Sequence, residues 1–348
     1  MTSTIHLIEQ WENNEFTSFD DLLEIISSSD SMTYLSFAEA CVHLQHSQLL
    51  NEITNHLQPQ EVAVLEVVKH RFEGHTELLD SIEKALVVCC TKENRDVHLE
   101  GRLRMERGLV RFEEGDFDGA ESDLTWAETR LKSVSKASRD HDLSLLNKAA
   151  FHMARGEQLM ALQVYGDISR HGGHAHETIA ISRLGASRIH YELGHDFDAA
   201  RHAWNAHYHS ILSNQILMAI EAGTLFIEIS LHHRDEDAEP MSIQVEKSTP
   251  RDLKDELPQL RVQQDDIKEV YSWCLEHIER NISGEHRPDL QALLRISLHL
   301  DELDSMSFLL LHPEHVEDTF LASLCMSIVS SAEDVAKWNA RLTQLSRI

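Results

Sequence analysis

The chain has 348 residues, 42% of them hydrophobic, and a formal net charge of -28 from 59 acidic against 31 basic side chains. That apolar content is enough to fill a core, whereas the charge repels phosphate backbones and anionic lipid, which excludes nucleic acid and membrane surfaces as expected partners. Five cysteines (Cys41, Cys89, Cys90, Cys274, Cys325) without a CxxC pair give neither a disulfide framework nor a zinc knuckle and fit a reducing compartment.

From the amino terminus, MTSTIHLIEQWENNEF carries no basic leader, and no apolar run in the chain approaches the ~18 residues of a membrane span, so the expected location is cytoplasmic. Residues 1–58 read as a helical flank. Ser18 caps a helix over Phe19 to Ile26, with Asp21 completing a capping box, and Tyr34 to Leu44 and Gln48 to Leu57 form a further pair. The six prolines stand at positions 59, 240, 250, 258, 288 and 313, which leaves Gln60 to Glu239 free of the residue that breaks helices outright. Alternating Val, Ile and Thr runs, the mark of strands, are nearly absent.

Residues 59–233 carry a repeat. Gly74, Gly115, Gly156 and Gly194 are separated by 41, 41 and 38 positions. After the last three, an alanine recurs (Ala120, Ala161, Ala200), and four positions beyond it stands a large apolar residue, Leu124, Tyr165 or Trp204. About seven positions before each of these glycines is a small residue, Gly108, Ala149 or Ser187. Small residues on both sides let two helices cross closely. Glycine suits a left-handed helix end, and the Asp that follows in Gly115-Asp116-Phe117-Asp118 and Gly194-His195-Asp196-Phe197 suits the next amino-terminal cap. Each unit is expected to be an antiparallel helical hairpin with Phe117, Tyr165 and Trp204 in its core.

Beyond the ladder, Ile211 to His232 reads as one long apolar helix. Residues 234–262, acidic and with three prolines, read as a flexible insertion. Residues 263–348 read as a helical cap: Ile267, Val270, Tyr271, Cys274, Leu275 and Ile278 share one face. Helices near Pro288, Glu314 and Ala332 come next, with Leu293, Phe320, Leu324, Val335 and Trp338 expected inside.

The stretch Gly101 to Lys132, with its small residue, turn glycine, aromatic and Ala-x3-large pattern, resembles a tetratricopeptide repeat, and the likeness extends over roughly Glu61 to Ser210. It departs from that family at Arg107 and Arg111, where Leu and Tyr are usual, and in a period near 40. The resemblance implies an all-α, right-handed solenoid of antiparallel helix pairs with helical flanks. It also implies a protein-binding scaffold without a catalytic residue, cofactor or metal, whose partner is a protein or peptide lying along a concave groove. Carried onto this chain, the groove comprises Arg102, Met105, Leu109, Phe112, Leu146, Met153, Leu184, Arg188 and Tyr191, with Leu143, Ala150 and Ile181 on the same stripes. Such a groove would take a peptide with apolar anchors and a carboxylate or two.

No GxGxxG, P-loop, HExxH or GxSxG signature is present. Histidine stands out, with 24 copies in all and local concentrations at His171, His174 and His176 and at His202, His207 and His209. Imidazole ligates metals and titrates near neutrality, so the alternative reading is a histidine-rich metal-binding protein or metal-dependent enzyme, with a pH response as a further possibility.

Overall fold

The computed structural model describes residues 4–13, 15–16, 18–29, 33–74, 77–247, 258–281, 288–300 and 309–346. Among these the protein is all-α: eighteen α-helices and no strand, apart from one isolated bridge between Arg234 and Val262. It divides into two compact units, residues 1–157 and 158–348. The first holds α1 (Thr4–Glu12), α2 (Phe19–Ser27), α3 (Tyr34–His43), α4 (Ser47–Thr54), α5 (Pro59–Glu73), α6 (Leu78–Cys89), α7 (Val97–Glu113), α8 (Phe117–Val134) and α9 (Arg139–Ala154). The second holds α10 (Gln158–Asp167), α11 (His176–Glu192), α12 (Asp196–Leu212), α13 (Ile216–Ser230), α14 (Met241–Lys247), α15 (Gln264–Asn281), α16 (Pro288–Leu300), α17 (Thr319–Ile328) and α18 (Ala332–Leu345).

Local signals set most boundaries. The Ser18 Oγ accepts the Asp21 N–H at 3.3 Å while the Asp21 carboxylate accepts the Ser18 N–H at 3.0 Å, so the capping box that starts α2 is complete. All four ladder glycines lie in the left-handed region, Gly115 at φ +85 and Gly194 at φ +73. An L side chain there costs about 1–2 kcal/mol. After Gly115, the Asp116 carboxylate accepts the Gly119 N–H at 3.0 Å and opens α8. After Gly194 the cap position is His195, and Asp196 is instead the first helical residue of α12.

One turn escapes this logic. Residues 211–232 do not form a single helix, because Asn214 adopts φ +58 and separates α12 from α13. Asparagine is the non-glycine residue best suited to that conformation, since its short amide can bond the local backbone.

Within the first unit α5 packs on α6, and α7 on α8, while each first helix also touches the next: α3 on α5, α5 on α7, α7 on α9. The second unit repeats this with α11 on α12, α12 on α13 and α11 on α13. The crossings are close at the small residues of the repeat. A Cβ on Gly108 would lie 2.9 Å from Leu124 Cγ and 3.2 Å from the Ala120 carbonyl oxygen. In the second unit the buried Ser187 hydroxyl donates to the Ala199 carbonyl at 2.8 Å. Tyr165 is buried, Trp204 is partly buried against the core, and Phe117 is exposed, packing its ring on Phe112 at 5.7 Å.

The departures at positions 107 and 111 have a structural cause in Asp123, which is 1% exposed on α8. Arg107 donates to both of its carboxylate oxygens at 2.7 Å, Arg111 reaches it at 2.9 Å and Arg104 at 3.4 Å. These hydrogen bonds to Asp123 hold the Arg107 guanidinium above its ordinary pKa. Glu100 pairs with Arg104 at 2.9 Å, and Trp126 lies under the Arg104 guanidinium at 4.2 Å from the ring centre. An ionic clamp thus joins α7 to α8 where the tetratricopeptide pattern has apolar packing.

In the second unit, the expected insertion 234–262 is tied down at both described ends. Leu260 and Val262 are buried, the Val262 N–H donates to the His233 carbonyl at 2.9 Å, and Arg261 pairs with Asp235 at 2.5 Å. Met241, buried at the start of α14, donates its N–H to Asp266 at 2.9 Å. Positions 248–257 of that expectation lie outside the described residues. Of the residues expected inside the cap, Leu293 and Trp338 are fully buried, whereas Phe320 is 76% exposed and Leu324 and Val335 also face out. The cause is that α17 begins at Thr319, capped by Asp318, and Pro313–His315 forms only a 3-10 turn, so the inward face falls on Leu321, Ala322 and Cys325. No helix among the described residues is long and apolar enough to cross a membrane.

Removing a partner from a buried ion cluster leaves uncompensated charge and costs about 3–5 kcal/mol, whereas a solvent-exposed pair contributes about 0–1 kcal/mol. Asp123→Ala should therefore lower the unfolding free energy by the larger amount in urea denaturation followed by circular dichroism. Glu83→Gln, which removes the half-exposed partner of Arg107, should shift it by less than about 1 kcal/mol. Equal shifts would contradict the clamp.

Candidate functional site

The expected groove residues fall on α7, α9 and α11, and the structure sorts them by exposure. On α7, Met105 is buried, Arg102, Leu109 and Phe112 are partly exposed, and Phe112 packs against Phe151 with ring centres 5.6 Å apart. Arg102 is engaged within the fold: it donates to Glu39 of α3 at 2.6 Å and lies 3.5 Å from Asp140 of α9. His98 approaches the same Asp140 at 2.6 Å. Burial alone would raise the Asp140 pKa, but the His98 hydrogen bond and the Arg102 charge together hold it below the ordinary carboxylate value.

On α9, Leu143 and Ala150 are exposed, and Leu146 and Met153 are partly exposed. These four positions follow the i, i+3, i+7, i+10 spacing of one helix face, so α9 presents an apolar stripe that its own unit leaves partly uncovered.

In the second unit, Leu184 on α11 is buried, Ile181 is partly exposed, and Arg188 and Tyr191 are exposed. Arg188 donates to Glu221 of α13. Both arginines expected to receive a ligand carboxylate therefore already hold one from a neighbouring first helix.

The histidines divide among several roles. His171 is exposed, His174 is buried with its ring against Gly172, and His176 faces His209 with Nδ1 atoms 2.7 Å apart. That short distance requires one of the two rings to be the neutral acceptor. His207 bonds the Ala219 carbonyl through Nδ1 at 2.8 Å and meets Trp273 edge-on at 5.0 Å, and Trp273 stacks on His277 at 3.8 Å. His202 stacks on His190 at 5.3 Å and accepts a hydrogen bond from Arg201 at Nε2, 3.2 Å away. Acceptance at Nε2 places the ring proton on Nδ1, so His202 is neutral in this arrangement. A third histidine group, His312 and His315 around Glu314, lies outside both concentrations noted in the sequence. Its signal is the short run His312-Pro313-Glu314-His315, two imidazoles and a carboxylate within one turn.

The chain matches no family model and no curated protein.

Burial pushes the His202 pKa well below its ordinary 6.5, with the Arg201, Arg183 and His190 charges adding to the effect. Burial also lowers His207, assisted by His277 and partly offset by the bond to the Ala219 carbonyl. The unfolded chain then binds protons that the native unit refuses. This contribution to stability is complete above pH 6.5 and is lost as the pH falls below it toward the folded values. Stability of the second unit should fall between pH 7 and 5 by up to about 1.4 kcal/mol per pH unit for each histidine. His202→Gln, whose amide oxygen can still accept from Arg201, should flatten that dependence in urea titrations; an unchanged slope would contradict a neutral buried His202.

Proposed function

We propose that the chain is a helical-repeat scaffold whose stacked hairpins bind a protein or peptide partner through apolar side chains on their first helices. The observation that carries this reading is the packing order inside each unit. A first helix touches its own second helix and also the next first helix, as α3, α5 and α7 do in the first unit and as α11 does in the second. Hairpins that stack in this way form a layer of first helices, the arrangement of an α-solenoid of the tetratricopeptide type. Ion pairs run along the layer of each unit, from Arg71 to Glu106 and from Arg102 to Glu39 and Asp140 in the first, and from Arg188 to Glu221 in the second.

These pairs support a particular kind of recognition. With Arg102 and Arg188 matched inside their layers, the remaining binding chemistry of the stripe is apolar: Leu143, Leu146, Ala150 and Met153 on α9, and Leu109 and Phe112 on α7. An amphipathic or extended peptide with aliphatic or aromatic anchors fits such a stripe. The net charge of -28 favours basic residues flanking those anchors.

Leu143 and Ala150 are exposed, so acidic replacements there should leave folding intact. The immobilised full chain should retain a partner from lysate of its native cells that Leu143→Glu and Ala150→Glu lose, with unchanged helical circular dichroism. Thr125→Glu, an exposed position on α8, adds the same charge on another helix and should retain the partner. Loss with all three variants, or with none, would contradict recognition through the α9 stripe.

A further inference from the structure

The segment between α16 and α18 brings together three groups with metal-ligand chemistry. His312 Nδ1 lies 3.0 Å from Glu314 Oε1, His315 Nε2 lies 3.8 Å from the same oxygen, and the three ligand atoms are all within 4.8 Å of one another. Four-coordinate zinc with bonds of about 2.0–2.1 Å places its ligand atoms about 3.4 Å apart, so these separations bracket the value needed. Small side-chain rotations would close the set on one ion.

The backbone that carries these ligands is held from both sides. Pro313 at the start of the 3-10 turn fixes its own φ. From α18, Trp338 donates to the Leu310 carbonyl at 3.0 Å and Arg341 to the Val316 carbonyl at 2.8 Å. From α16, the Gln291 side-chain oxygen accepts the N–H groups of Glu317 at 2.7 Å and Asp318 at 3.3 Å, while Arg295 pairs with Asp318 at 2.9 Å. Val316 is fully buried as an anchor, and His315 is 1% exposed. Ligands fixed before the ion arrives lose less conformational freedom on binding it.

We infer that His312, Glu314 and His315 form a binding site for one divalent transition-metal ion of the zinc type. Two imidazoles and one carboxylate suit zinc and its neighbours, where an all-oxygen set would suit magnesium or calcium. Glu314 supplies the negative charge from the exposed side of the turn, leaving the fourth coordination position toward solvent for water or an incoming ligand. The site is independent of the apolar stripe on α9 and needs no partner chain.

The test uses the full, tag-free chain with zinc and with cobalt(II) as a spectroscopic probe. Because the chain has 24 histidines, the informative quantity is the difference between wild type and variants. Buried His315 is left intact, and the changes are His312→Ala and Glu314→Gln, both on the accessible side, with exposed His171→Ala as control. Wild type and His171→Ala should bind one equivalent of zinc that both site variants bind at least about tenfold more weakly, since even outer partners of metal ligands carry about 10- to 100-fold in affinity. The cobalt complex should show visible absorption of a four-coordinate ion that both site variants lose. Unchanged affinity and spectrum in the site variants, or no bound equivalent in wild type, would overturn the assignment.

Discussion

The α7–α8 and α11–α12 hairpins, the most extensively packed helix pairs in their units, depend on a chain reversal made by a glycine in the left-handed region. At Gly115 and Gly194 the helix ends, the backbone turns, and the next helix starts within about two residues. The glycine N–H bonds back three residues, to Phe112 and to Tyr191, and the following N–H reaches the carbonyl five residues back, at Arg111 and at His190. These bonds satisfy carbonyls that a helix end otherwise leaves open. So tight a turn makes the two helices antiparallel neighbours over their whole length. Close packing is the consequence, and it requires small residues at the crossing, as Gly108 provides against Ala120 and Leu124.

Charge is the second organising constraint. A chain with 59 acidic side chains must spend its few cations carefully. In the first unit Arg104, Arg107 and Arg111, spaced to lie along one side of α7, converge on a single buried carboxylate. Arginine suits this place because its planar fork donates several bonds at once, as Arg107 does to both oxygens of Asp123. Other arginines link one first helix to the next. Cations are thereby concentrated inside and between hairpins.

The sequence shows most plainly what is local. Gly115, Gly194, Ser18 and Asp116 act through their own backbone or a neighbour three residues away, and each lies where its residue type suggests. Features that depend on partners distant in sequence are not legible there. Arg107 and Arg111 read only as departures from a pattern, because the carboxylate that explains them is 16 and 12 positions away on another helix. Arg102 and Arg188 read as open cations for the same reason, although Glu39 and Glu221 lie 63 and 33 positions off. The Asn214 turn escapes notice because an asparagine turn has no unique residue signature, and the apolar run on either side of it reads as continuous. The His312-Pro313-Glu314-His315 group is overshadowed by denser histidine runs elsewhere, and only the loop held by Trp338, Arg341 and Gln291 shows that its ligand atoms converge.

The left-handed requirement has a matched control within the same unit. Gly194 has φ +73 with open space around a would-be Cβ, and Gly166 lies inside α10 with equally open space and ordinary helical φ. Alanine therefore meets no clash at either site, and backbone conformation alone separates them. Urea denaturation of the two alanine variants should show Gly194→Ala destabilised by about 1–2 kcal/mol and Gly166→Ala unchanged or stabilised by up to about 1 kcal/mol. Equal effects of the same sign at both positions would mean that the hairpin turn does not impose the left-handed backbone on which the α11–α12 pairing depends.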